Sequence, residues 1–178
     1  ERGQGKSHLM AALYHGMTDK AATQTWLTHW STVLSNPKVA AIPLRSGMHV
    51  ISDSLHRQHY KHLWDLLFEN HPHGRYCRGK WEGLGNNKPD VPSDTILLEM
   101  FKHTPTALIL DEFQTWFDGL TNTKQFPWRA WAFNFIQLLS EIAKEHPDLL
   151  VLVVSVRNGT TDAFQQIQRV NPFIIDFK

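Results

Sequence analysis

The chain of 178 residues is 42% hydrophobic, has a formal net charge of +1 and carries one cysteine, Cys77. That length and apolar content allow one sizeable core, so a single domain over 1–178 is expected. One cysteine excludes an internal disulfide and a Cys-based zinc site, no apolar run is long enough to span a bilayer, and no signal-peptide pattern is present. These features point to the cytoplasm and away from membranes, while a near-zero net charge excludes neither acidic nor nucleic-acid partners.

The first eight residues are Glu1-Arg2-Gly3-Gln4-Gly5-Lys6-Ser7-His8. Gly5-Lys6-Ser7 closes the pattern G-x-x-x-x-G-K-[ST], whose opening glycine would fall one residue before Glu1. Small residues let consecutive backbone N–H groups turn inward around phosphates, the lysine reaches the outer phosphates, and the Ser hydroxyl serves Mg²⁺. Leu9, Ala12, Leu13 and Met17 then share one face of a helix over 6–18, so the loop feeds a helix N-terminus, where an anion is favoured. Gly3, Gly5, Lys6, Ser7 and His8 are the candidate phosphate-binding residues. A glycine turn followed by a solvated Lys6 is the plain alternative.

A second helix is expected over 20–35, carrying Trp26, Leu27, Trp30 and Leu34. The short apolar run 39–44, between Pro37 and Gly47, reads as a buried strand. Asp53 or Ser54 is placed to cap a helix whose Tyr60, Leu63, Trp64, Leu67 and Phe68 keep helical spacing until Pro72. Glycines at 74, 79, 83 and 85, with Asn86, Asn87 and Pro89, make 73–91 a long loop. Ser93 then caps a helix burying Ile96, Leu97, Met100 and Phe101, and 106–110 is a buried strand. The most regular helix covers 128–144 with Trp131, Phe135, Leu138, Leu139 and Ile142 inward. The aliphatic run 149–156 reads as a central strand buried on both sides. A short helix over 161–168 leads to a last strand, 173–177. Strands alternating with helices predict an α/β class with a parallel sheet.

Leu108-Ile109-Leu110-Asp111-Glu112 supplies the second half of a site. Apolar residues carry a strand through the core, and two carboxylates appear at its C-terminal end, where open α/β sheets place ligands. Asp111 is placed to hold Mg²⁺, together with Ser7, and Glu112 to polarise an attacking water as general base. Ser155 ends the next apolar strand and is a candidate sensor of the terminal phosphate, with Asn158 its rival. Arg169, just before the last strand, is a candidate to reach a neighbouring subunit's nucleotide, with Arg157 and Arg129 as rivals.

These residues resemble the AAA+ superfamily of P-loop ATPases. Gly3 to Leu9 is similar to the loop of replication initiators and helicase loaders. The run Asp111-Glu112-Phe113-Gln114-Thr115-Trp116-Phe117, with Ser155-Val156-Arg157-Asn158-Gly159, resembles the large ATPases of bacterial phage-defence islands of the BREX type. The resemblance implies a three-layer P-loop core with strand order 5-1-4-3-2, ATP and Mg²⁺ as ligands, hydrolysis, and a homo-oligomer. Lys6 and Ser7 match the phosphate loop, Asp111 and Glu112 the acidic pair, Ser155 the sensor and Arg169 the arginine finger. It further implies a first strand before residue 1 and a helical lid after the last strand, so the sequence reads as a piece of a longer chain. DNA, or DNA-modifying defence proteins, are the implied partners. A nucleotide-binding scaffold with little turnover is the alternative, and an initiator or helicase loader a further variant.

Two other features tempt. His56, His59 and His62 recur at three-residue spacing, with His71 and His73 beyond, but no H-E-x-x-H accompanies them, and solvated histidines on a polar helix face are the simpler reading. Arg75-Tyr76-Cys77-Arg78-Gly79-Lys80-Trp81 mixes cations with aromatics, the chemistry of nucleic-acid contact, although an ordinary loop with Trp81 tucked against the domain is favoured.

Overall fold

The computed structural model describes residues 5–45, 47–57, 60–121, 123–156, 161–169 and 171–175. It is a mixed α/β structure around an open parallel sheet of three strands, β1 (His49–Ser54), β2 (Thr106–Asp111) and β3 (Leu150–Val154), in the order β1-β2-β3. The register sets Ile51 and Leu152 beside Leu108, and Asp53 and Val154 beside Leu110. Side chains alternate along each strand, so Leu108 and Leu110 enter the main hydrophobic cluster. Ala107 and Ile109, buried outside it, lie on the opposite face.

The helix α1 (Lys6–Thr18) packs against β1 and β2 and forms a hairpin with α2 (Lys20–Val33). Its expected apolar face is only partly covered: Leu9, Leu13 and Met17 are half-buried, Ala12 is exposed, and Met10 is the buried residue. Trp26 and Trp30 of α2 meet edge to face with ring centroids 6.3 Å apart and remain exposed, whereas Leu27 is buried.

The expected strand at 39–44 is not formed. Asn36 accepts the Lys38 N–H at 3.1 Å and Pro37 sits in the first turn of a short helix, α3 (Pro37–Ala40). Asn as cap and Pro at the start of a helix favour this conformation, and Pro43 lacks the N–H a central strand would need. The strand lies instead at β1, whose Ser52, Asp53 and Ser54 are tolerated because β1 is an edge of the sheet among the described residues. A 3₁₀ turn, Leu55–Arg57, follows, and α4 (Leu63–Asn70) begins only after Tyr60. Leu63, Trp64, Leu66, Leu67 and Phe68 are buried.

Residues 73–91 are not a loop: α5 (Gly74–Glu82) occupies half of them, with Cys77 and Trp81 buried, and a 3₁₀ turn covers Gly85–Asn87. Gly74 permits this. A Cβ there would lie 2.4 Å from the Phe68 carbonyl oxygen and 2.8 Å from that of Leu67, so only glycine lets α5 start this close to α4. The remaining helices are α6 (Asp94–His103), α7 (Phe113–Asp118), α8 (Trp128–Glu145) and α9 (Asp162–Gln168). The inward faces of α6 and α8 follow the sequence, with Ile96, Leu97, Met100 and Phe101 buried on one and Phe135, Leu139 and Ile142 on the other.

Two strand expectations need correction. β3 is only half-buried beyond Leu150, because it pairs on one side alone among the described residues. Residues 171–175 form no strand, and Phe173 is 91% exposed with no sheet partner among the described residues; 176–177 lie outside them. The sheet has three parallel strands among the described residues. No helix among the described residues is long and apolar enough to cross a membrane.

Candidate functional site

The polar groups converge at the C-terminal edge of the sheet. Asp111 is the last residue of β2, in register with Ser54 at the end of β1. From the other side of the sequence, Gly5 begins α1 with a left-handed φ of 86°, a conformation glycine adopts freely. That turn brings Ser7, in the first turn of α1, against the end of β2: Ser7 Oγ donates to Asp111 Oδ2 at 2.9 Å across 104 residues of sequence. Gly5 makes no side-chain cap and the first turn holds no acidic residue, so the positive end of the α1 dipole carries no carboxylate of its own.

The third contributor is Ser155, one residue beyond β3. Its backbone N–H donates to the Leu110 carbonyl at 2.9 Å, which extends the β2–β3 ladder to the site. Its hydroxyl donates to Asp111 Oδ1, an oxygen that also accepts the Glu112 N–H at 2.8 Å. The Glu112 N–H in turn reaches Ser155 Oγ at 3.1 Å. Glu112 has φ 54° and ψ 32°, left-handed for a residue with a β-carbon, and leads directly into α7. Its carboxylate Oε2 accepts from Thr115 Oγ1 at 2.8 Å.

The electrostatics follow from these contacts. Partial burial pushes the Asp111 carboxyl upward, but hydrogen bonds from Ser155, Ser7 and the Glu112 amide, with the charge of Lys6, outweigh it and hold the group below the ordinary carboxylate range. Asp111 is therefore kept as a carboxylate at neutral pH. Ser7 uses its hydrogen on Asp111 and keeps its lone pairs. A carboxylate beside a hydroxyl oxygen suits a hard cation, and Mg²⁺ in particular uses one or two protein oxygens and takes the rest from phosphates and water. Among the described residues there is no cluster of three or more His, Cys, Asp or Glu that would hold a metal alone.

The structure thus joins Gly5, Lys6, Ser7, Asp111, Glu112 and Ser155 in one place. His8 is exposed in the first turn of α1. Gly3, and the rivals Arg157 and Asn158, lie outside the described residues. Arg169 is exposed in the turn after α9, apart from the cluster. Arg129 is fixed structurally, with Nε on the Leu120 carbonyl and a second nitrogen on that of Asp118, both at 2.9 Å. Thr115 was missed in the sequence; its signal is the spacing Glu112-x-x-Thr115, which places a hydroxyl one helical turn beyond the carboxylate.

Neither tempting feature contributes to the site. His56 lies in the 3₁₀ turn, His62 precedes α4 and stacks on Trp64 with centroids 4.4 Å apart, and His59 lies outside the described residues. In α5, Arg78 pairs with Asp65 and Lys80 with Glu99, and Trp81 is buried with its indole N–H on the Pro89 carbonyl at 3.1 Å. No family model, curated protein or solved structure matches the chain.

Proposed function

We propose that the chain is the nucleotide-binding core of a Mg²⁺-dependent ATPase of the AAA+ kind. One observation carries the reading: the Ser7–Asp111 hydrogen bond, which joins the G-K-S turn to the acid at the end of β2. Lys6 binds the outer phosphates. Ser7 and Asp111 hold Mg²⁺, which when bound screens phosphate charge and orients the phosphates. Glu112 takes a proton from the attacking water at its carboxylate. The parallel order β1-β2-β3 supports the reading, because 5-1-4-3-2 contains the run 4-3-2. Arg169, exposed and outside the cluster, would act in a homo-oligomer on a neighbour's nucleotide, and a DNA-directed defence complex would be the client.

A scaffold with little turnover is the second reading, favoured by the bond that holds the Glu112 carboxylate on Thr115. Calorimetric titration with ATP and ADP, with and without Mg²⁺, tests the shared part. Mg²⁺ should tighten binding, Lys6→Ala should abolish it, and Asp111→Asn should remove the gain from Mg²⁺. Equal binding by Lys6→Ala and the unaltered chain would remove the nucleotide site. Phosphate release then separates ATPase from scaffold.

A further inference from the structure

A serine hydroxyl has one hydrogen and two lone pairs. At Ser155 the hydrogen goes to Asp111 Oδ1, and one lone pair takes the Glu112 N–H at 3.1 Å. With its own N–H on Leu110, residue 155 is bonded to three consecutive residues at the end of β2. Glu112 is left-handed, a conformation that costs about 1–3 kcal/mol outside glycine and persists only where the surroundings over-determine it. Ser155, one residue beyond β3, reaches this turn with its side chain.

We infer that Ser155 is a positioning residue, which clasps the Asp111 carboxylate and the Glu112 backbone, rather than a contact to the terminal phosphate. The inference rests on the ATPase reading and replaces the sensor role that strand position alone suggests. At neutral pH the oxygens of a terminal phosphate are chiefly acceptors, so a contact requires a donated hydrogen. Ser155 has only one, and Asp111 holds it. Reaching a phosphate would therefore break the clasp at the moment both carboxylates are needed. Loss of the hydroxyl should disturb the Mg²⁺-holding end of the site whichever nucleotide is bound.

The test compares the chain with Ser155→Ala, Ser155→Thr and Ser155→Val, the last two being isosteric with and without the hydroxyl. Each is titrated with MgADP, with the Mg²⁺ complex of the β,γ-imido analogue of ATP, and with both nucleotides in EDTA. Ser155→Ala and Ser155→Val should weaken both Mg²⁺ complexes by the same factor, about tenfold for one charge-assisted hydrogen bond. Neither should change binding in EDTA, and Ser155→Thr should restore affinity. In the nucleotide-free chain, the Glu112 Cα and Hα chemical shifts, which report its backbone conformation, should move in Ser155→Ala and Ser155→Val and stay in Ser155→Thr. Should Ser155→Ala not fold, the Thr/Val pair carries the comparison. Weakening of the ATP analogue alone, with MgADP unchanged, would overturn the inference in favour of a phosphate contact. If the unaltered chain binds no nucleotide in Mg²⁺, the ATPase reading falls; unmoved Glu112 shifts in the Ala and Val variants would then overturn the clasp as well.

Discussion

The two ends of the same strands hold their polar groups in opposite states. At the C-terminal end, Asp111 receives hydrogens from Ser7, Ser155 and the Glu112 amide and is kept charged. At the N-terminal end, beside the first residues of β1 and β2, the buried ionisable group among the described residues is His71, 4% exposed. Its Nδ1 accepts the His73 N–H at 3.0 Å, so its proton sits on Nε2, which donates to the Thr104 carbonyl at 3.0 Å. Burial pushes its pKa down to about 4, helped by His49, His103 and His73 nearby and opposed by the Thr104 bond. A charged group ringed by donors, with lone pairs left beside it, is prepared to receive something. A neutral ring with both nitrogens matched to backbone is finished. It ties the α4–α5 turn to the start of β2 and has no capacity left for a ligand.

The comparison breaks most visibly at Glu112. General-base assistance contributes about 10²–10⁴ in rate, so Glu112→Gln should lower phosphate release by that factor while MgATP binding persists. Unfolding by urea should barely move, because the substitution keeps the size of an incompletely buried side chain. Normal turnover in Glu112→Gln would leave a scaffold, and the two strand ends would then differ in charge but not in chemistry.

The next effect separates the ends by pH. The His71 pKa is lowered in the fold, so the unfolded chain takes the proton first. Its contribution is complete above about 6.5, declines as pH falls towards about 4, and is then exhausted. The gap corresponds to about 3 kcal/mol. Asp111, also lowered, behaves as a paired carboxylate: its contribution is present above the ordinary value and lost only as pH falls through its folded value. The difference between stability curves of the unaltered chain and His71→Gln should therefore slope between pH 6.5 and 4. That for Asp111→Asn should slope below pH 4. Overlapping windows would contradict the assignment of one end as neutral and the other as charged.

Gly74 tests the turn that His71 secures. A β-carbon there meets backbone oxygens of Phe68 and Leu67 at 2.4 and 2.8 Å, which cannot rotate aside. Gly74→Ala should cost about 1–3 kcal/mol, as overpacking does. Gly79→Ala, in the same helix with open space around it, should gain about 0.5–1 kcal/mol. Equal urea midpoints for the two would remove close approach as the reason α5 forms.

What could be read from the sequence follows from how local each determinant is. Gly5-Lys6-Ser7 and the apolar run ending in Asp111-Glu112 announce themselves, because turn, helix start and strand end are each written within a few residues. Met100 and Phe101 of α6, and Phe135 and Leu139 of α8, were legible because their spacing is set by the helix alone. α5 was not, because its four nearby glycines signal a loop unless the contact of Gly74 with α4 is known. β1 was hidden by Ser52 and Asp53, which only an edge position explains. The part Ser155 plays depends on the register of β3 against β2, which fixes where its one hydrogen goes.

The smallest effect concerns Thr115, which distinguishes a cap from a tool at the charged end. Its hydroxyl donates to Glu112 Oε2 at 2.8 Å from an exposed position on α7, so water competes for both groups. Thr115→Val keeps the shape and removes the donor, and should lower stability by about 0.5–1 kcal/mol, the net worth of one hydrogen bond. If the bond merely caps the turn, phosphate release should change severalfold at most and Thr115→Ser should match the unaltered chain in both respects. A loss of turnover as large as that in Glu112→Gln, with stability intact, would instead show that the bond aims the carboxylate at water. A gain in turnover would show the reverse: the bond holds the base away from its work, and releasing it is part of the cycle. The last outcome would carry the contrast between the two ends further, since the His71 contacts have no second state to move to.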